Sequence, residues 1–241
     1  MSALSFGDRA VGAFLGLAVG DSFGRELEFV RGERVRSMAV AIEPGVFKPT
    51  DDTWMSIYLA EAVLDVFDDD FDPDRFGHAV GSRYVEWSHD PLTPSTAPGG
   101  TCLRGASAYE RTRDWHVSGD PGSDGCGSVM RIAPLPMAFL GETLTTASEI
   151  SALVTHAHAN SLEGAIAGAQ LLRWVLEGEP LDEALVSRAI RELNGPWGRS
   201  GTVARSLEDA IMLGRRREER WLDDSAVHPA DGGWRSGSAL G

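Results

Sequence analysis

Thr50-Asp51-Asp52-Thr53 stands where the loop Phe47-Lys48-Pro49 gives way to a helical pattern, and the fold class is read outward from there. Met55, Tyr58, Leu59, Ala62, Val63 and Val66 recur at steps of three and four residues. That spacing puts one apolar stripe on a helix running to about Phe67. Thr50 or Asp51 can cap the helix, and both carboxylates lie in the field of its N-terminus. Two readings follow from these residues alone. In one the tetrad is a cap and nothing more. In the other it is a site for a hard cation, because hydroxyl and carboxylate oxygens gathered in one turn suit Mg2+ or Mn2+, which take oxygen ligands and keep several waters.

The same periodicity covers most of the chain. It predicts helices over 6–20, 53–67, 73–88, 103–112, 126–132, 145–156, 161–177, 181–193 and 202–217, separated by Gly/Pro loops and with almost nothing that reads as strand. The class is therefore all-α, in one compact domain over 5–222. From Asp223 to Gly241 the pattern dissolves into an irregular tail with no apolar face. Gly12, Gly16, Gly20 and Gly24 keep a four-residue step in and just beyond the first helix, which stacks them on one face. Each interior glycine costs about 0.5–1 kcal/mol relative to Ala, so the sequence predicts another helix packed closely against that face. The mixed-charge run at 215–220 reads as a solvated helix end.

A formal charge of −14 argues against a nucleic-acid surface, which needs a basic face, and leaves room for a small anion held by local donors. Two cysteines, Cys102 and Cys126, are too few for a disulfide scaffold and fit a reducing compartment. The apolar run at 10–20 is too short to span a membrane and is preceded by Asp8 and Arg9, so the expectation is a cytoplasmic protein without membrane partners.

Three more clusters accompany the tetrad. Gly20-Asp21-Ser22-Phe23-Gly24, with Glu28 beyond, makes a polar break after the glycine-faced helix; its plain reading is a turn and a surface acid. Gly125-Cys126-Gly127-Ser128-Val129-Met130-Arg131 opens an apolar helix with small residues, where free N–H groups can hold a pyrophosphate and Arg131 can add a charge. Thr155-His156-Ala157-His158-Ala159-Asn160 lies at a helix junction. Its two histidines are spaced to face apart on a helix, which argues against a zinc pair and for a single contact from His156 into a cleft.

Taken in order, these segments resemble the ADP-ribosylglycohydrolase family, which includes the ADP-ribosylarginine hydrolases and the dinitrogenase-reductase-activating glycohydrolase. The resemblance rests on the stretch from Gly16 to Gly24, on Thr50-Asp51-Asp52-Thr53-Trp54-Met55, on the segment from Gly125 to Arg131, and on Thr155-His156. It covers roughly residues 5 to 220. It implies an all-α orthogonal multi-helix bundle with two divalent ions, usually Mg2+, and hydrolysis that removes ADP-ribose from protein side chains or from related ADP-ribosyl compounds. Thr50, Asp51 and Asp52 match the family's first group of metal ligands. Glu28 matches an acid that some members place over the metals, and is expected to assist proton transfer alongside Asp51 and Asp52. Gly127, Ser128 and Met130 match the loop around the phosphates and distal ribose, and His156 a pocket histidine.

Two departures stand beside the resemblance. The family's second metal-ligand motif, Asp-x-Asp-Thr or Asp-x-Asp-Ser near the C-terminus, is absent from this sequence; Asp223-Asp224-Ser225 is its nearest imitation, and Gly232-Gly233-Trp234 stands where members enter a late helix. This reads as a C-terminally shortened member with exposed apolar surface, holding one metal ion more weakly. The second departure is Pro98-Gly99-Gly100-Thr101, where some members carry acids. The alternative to a hydrolase is an ADP-ribose-binding protein that keeps the phosphate loop without the full dimetal centre.

Overall fold

The computed structural model describes residues 4–28, 47–67, 70–216 and 235. Among them the regular elements are helices: α1 Phe6–Gly24, α2 Asp51–Asp65, α3 Pro73–His89, α4 Gly100–Thr112, α5 Leu135–Ala138, α6 Gly141–Leu153, α7 Ala159–Glu177, α8 Glu183–Leu193 and α9 Thr202–Arg216. Short 3-10 turns lie at Thr93–Ser95 and Cys126–Ser128. No strand occurs among the described residues, only the isolated bridges Asp120 to His156 and Gly125 to Arg235. The all-α expectation holds. The motifs at 223–225 and 232–234 lie outside the described residues.

Local chemistry sets the helix starts. Ser5 and Asp8 form a reciprocal capping box on α1, Asp72 caps α3 ahead of Pro73, and Asp182 caps α8. Thr50 caps α2, as its position in the tetrad suggests. α7 is the central element: every residue from Asn160 to Gln170 is buried. One core cluster joins Met55 and Leu59 of α2 to Phe76, Val80, Tyr84 and Trp87 of α3, and reaches Leu144 of α6. A second, among α7, α8 and α9, gathers Trp174, Leu185, Leu193, Val203 and Leu207.

Two expectations fail. The helix predicted over 126–132 is only the turn Cys126–Ser128, followed by further turns to Pro134. Small residues and two prolines close by leave the backbone free to follow the cleft instead. The glycine face of α1 also meets no packed partner among the described residues. A Cβ placed at Gly12, Gly16, Gly20 or Gly24 would meet nothing within 4 Å. No residue of α1 is buried, and Val11, Leu15 and Val19 on the same side are each more than 60% exposed. The helix is tethered by polar groups: Arg9 Nε donates to the Leu176 carbonyl at 2.6 Å, and Asp21 ties it to α2.

Candidate active site

The N-terminus of α2 is built on Asp21. Its Oδ1 accepts from the Thr50 hydroxyl at 2.6 Å, and its Oδ2 from the Thr50 N–H at 2.8 Å, the Thr53 N–H at 3.2 Å and the Thr53 hydroxyl at 2.5 Å. Asp21 is thus no mere turn residue; it fixes the first turn that carries Asp51 and Asp52. Asp51 Oδ2 in turn accepts the Gly99 N–H at 2.8 Å. The loop at Gly99-Gly100 thus helps hold Asp51 in place.

Asp51 and Asp52 line one cleft of about 400 Å3 together with Glu28, Gly127, Met130 and His156. That is the size of a small-molecule site. Burial first pushes the Asp51 carboxyl up to about 6, with Asp21 and Glu28 adding to the rise against the Gly99 hydrogen bond. Burial, then the neighbouring Asp51 charge, pushes Asp52 up to about 7. Partial desolvation, then Asp21, raises Glu28 above the ordinary range. This acidic side gathers three carboxylates, with the Arg25 charge opposing the rise at Glu28.

The other side is made by the turn at 125–130 and by His156. Gly127 is required for close approach: a Cβ there would come 2.7 Å from Cys102 Sγ and 2.8 Å from His156 Cε1. Asp120 N–H donates to the Thr155 carbonyl at 3.0 Å and fixes the backbone beside His156. The imidazole is 2% exposed, and its Nδ1 lies 2.8 Å from the Thr155 hydroxyl. Burial, then the Arg131 charge, pushes its pKa down to about 3, so the ring is neutral. His158, as its spacing suggested, faces elsewhere and caps α7 through Nδ1, which accepts the Asn160 N–H.

Some of the expected site residues take other places. Thr50 is not among the cleft-lining residues; its hydroxyl is given to Asp21. Ser128 is fully buried, and its hydroxyl donates to the Ser161 carbonyl at 3.0 Å rather than facing the cleft. Arg131 is no charge partner for a pyrophosphate. It is buried under the cleft, 4.5 Å from the Tyr84 ring, with Nη2 donating to the Ser151 carbonyl and the Thr155 hydroxyl. The shortening of the 126–132 helix to a three-residue turn removes the N-terminal field expected there. Sequence reading missed Asp21, Gly99 and Arg131 in these roles.

Comparison with known proteins follows the same outline. The profile of the ADP-ribosylglycohydrolase family matches residues 2–240. The chain belongs to that family. It is 32% identical over 176 residues to the ADP-ribosyl-[dinitrogen reductase] glycohydrolase of Rhodospirillum rubrum, covering 66% of this chain and 54% of that protein. It is 30% identical over 198 residues to an ADP-ribosylarginine hydrolase of Pseudomonas putida, covering 77% and 51%. An uncharacterised protein of Archaeoglobus fulgidus is 31% identical over 164 residues, covering 64% and 51%. This family member therefore spans about half the length of the curated relatives it matches. A solved structure described as an ADP-ribosylglycohydrolase-related protein complex superposes with a TM-score of 0.64 at 31% identity, over 85% of this chain and 67% of that one. Among the described residues no helix is long and apolar enough to cross a membrane.

Proposed function

We propose that the cleft binds an ADP-ribosyl group and that its acidic side serves hydrolysis of the bond to an acceptor, either a protein side chain or a smaller compound. The observation that carries this reading is the meeting of Asp51, Asp52 and Glu28 with Gly127, Met130 and His156 around one cavity. The names of the relatives, glycohydrolases of ADP-ribosylated arginine and of ADP-ribosylated dinitrogen reductase, support it.

The acidic side fits a hard divalent cation, Mg2+ or Mn2+, in kind. Its donors are carboxylate oxygens, and the raised pKa values of Asp51 and Asp52, due first to burial and then to neighbouring carboxylates, mark charged forms that a cation would favour. Thr50 stands behind them and supports the set through Asp21. Among the described residues no three Asp, Glu, His or Cys side chains form a closed set of ligands, so water and ribose hydroxyls would complete the coordination. Bound there, such an ion supplies a Lewis acid beside the ribose.

The remaining work belongs to the chain's own groups. Gly99 fixes Asp51 so that its charge faces the reacting ribose. Glu28, with its raised pKa, can hold a proton at its carboxyl and pass it to the departing atom or take one from water. The negative charge of Asp51 and Asp52 favours the oxocarbenium character of glycosidic cleavage. On the other side, Gly127 leaves room for the phosphates and His156 offers its ring nitrogen.

The test is release of ADP-ribose from ADP-ribosylarginine as Mg2+ is titrated into chelator-treated protein. Release that rises with Mg2+ and disappears on chelation is expected; no release at any Mg2+ concentration, from folded protein that binds ADP-ribose, favours the second reading. In that reading the chain binds ADP-ribose without turning it over.

A further inference from the structure

Arg131 is the largest charged side chain in the core and fully buried, and its hydrogen-bond partners among the described residues include no carboxylate. Its Nη2 donates to the Thr155 hydroxyl at 2.6 Å and to the Ser151 carbonyl at 2.8 Å; Nη1 has only the sulfurs of Cys102 and Met55, at 3.5 and 3.9 Å. Its Nε has no partner. The Tyr84 ring lies 4.5 Å from the guanidinium, yet a buried cation with no carboxylate partner among the described residues needs a reason to be there. The reason lies one residue from the cleft, in what Arg131 does to Thr155.

We propose that Arg131 and Thr155 are positioning residues that hold His156 as the neutral Nε2–H tautomer, with that N–H presented to the cleft. A guanidinium can only donate, so the Thr155 oxygen must accept from it. The one hydroxyl proton of Thr155 then has two possible acceptors. The Ala152 carbonyl is 3.5 Å away, at the limit of a hydrogen bond, and His156 Nδ1 is 2.8 Å away. The shorter distance favours donation to Nδ1 over the alternative in which Nδ1–H donates to the second lone pair of the Thr155 oxygen and leaves the hydroxyl only the Ala152 carbonyl. An accepting Nδ1 carries no proton itself. In a neutral imidazole the ring proton then sits on Nε2. Burial and the same Arg131 charge keep the ring from taking a second proton.

Nε2 is the edge turned to the turn at 125–127, for a Cβ at Gly125 would stand 3.5 Å from it. The cleft thus meets a neutral donor, suited to a phosphate or hydroxyl oxygen. The opposite tautomer would meet such an oxygen with a lone pair. That the oxygen belongs to an ADP-ribosyl group rests on the function proposed above; the tautomer does not.

The experiment is long-range 1H–15N correlation NMR on protein labelled in the histidine rings, with His156 assigned by its loss in His156→Gln. Wild type should show His156 with a proton on Nε2 and an acceptor Nδ1. Thr155→Ser, which keeps the hydroxyl, should keep that signature. Thr155→Val should lose it, with ADP-ribose affinity about tenfold weaker than in Thr155→Ser, the size of one lost hydrogen bond. A wild-type ring protonated on Nδ1 overturns the proposal without recourse to any variant. So does an unchanged signature in a folded Thr155→Val. An Nε2–H ring in a wild type that binds no ADP-ribose would uphold the tautomer and sink the function proposed for the cleft.

Discussion

The two sides of the cleft are held in opposite electrostatic states. On the acidic side Asp51 and Asp52 are well ordered by Gly99 and by the Asp21-anchored helix start, yet they repel each other and carry raised pKa values. On the loop side His156 is buried, neutral and hydrogen-bonded through Thr155 to Arg131. The first side buries carboxyl groups whose charged forms are disfavoured, and under the proposed function a cation relieves it. The second is complete as it stands, with its donor already directed. The contrast teaches that a cleft can be fixed in geometry throughout while only one side of it carries the strain that ligands relieve.

The sharpest way to break that contrast is to neutralise the acidic side. Asp52→Asn should cut ADP-ribose release on the order of 100-fold, because an amide is a poorer ligand for a hard cation. The same change should stabilise the metal-free fold at pH 8 by about 1–2 kcal/mol, a discounted share of the ~1.4 kcal/mol carried by each unit of pKa shift. Release assays and denaturant unfolding read the two effects; loss of activity together with loss of stability would show that Asp52 is an ordinary structural acid.

Filling the loop side should do the reverse. Gly127→Ala forces a methyl against Cys102 and His156, and should cost about 1–3 kcal/mol of stability as well as ADP-ribose affinity. A variant as stable as wild type with unchanged affinity would mean that the turn yields easily.

The two sides should also answer pH with opposite signs in metal-free protein. Asp51 and Asp52 have raised folded pKa values, so the native state binds more protons than the unfolded chain, and stability falls as pH rises from about 4 to about 7. His156 has a lowered value. Between about 3 and 6.5 the unfolded chain takes the proton that the folded ring refuses, so this contribution is lost as pH falls. Denaturant unfolding across pH 4 to 8 should show a steeper rise of stability with pH in Asp52→Asn than in wild type. An identical slope in the two proteins would contradict the assignment.

The smallest expected effect lies away from the cleft. Gly16→Ala on the open face of α1 should raise stability by about 0.5–1 kcal/mol, since nothing opposes the new methyl and the helix gains propensity. Gly81→Ala on α3 should lower it, because a Cβ there would come 2.6 Å from the Tyr109 ring.

That pair of glycines also marks where sequence reading stops. Helical periodicity predicted α2, α3 and α7 to within about two residues at either end, because one apolar stripe facing a core is a local signal. The four-residue glycine step is not local. The same spacing occurs at Gly77 and Gly81 of α3, which pack against Trp115 and Tyr109, and at Gly12 and Gly16 of α1, which meet nothing within 4 Å among the described residues. In the cleft, Asp51, Asp52, Gly127 and His156 were legible because each sits in a short motif, while Glu28 entered only through the family resemblance. Asp21 and Gly99 were not, since their partners are 29 and 48 positions away and a backbone N–H leaves no mark in a sequence. Arg131 was misread for a similar reason: a charge beside a glycine-rich turn suggests an anion, and only the packing of Tyr84, Ser151 and Thr155 shows it buried.

The central claim, that this cleft takes an ADP-ribosyl group, is tested most directly by calorimetric titration of ADP-ribose into the wild-type chain, with Mg2+ in excess and again after chelation. The account predicts one saturable site, tighter with Mg2+ than without it, because the cation relieves the acidic side while the loop side is ready in both cases. Folded protein that gives no binding heat across several titration temperatures, with or without Mg2+, would contradict it.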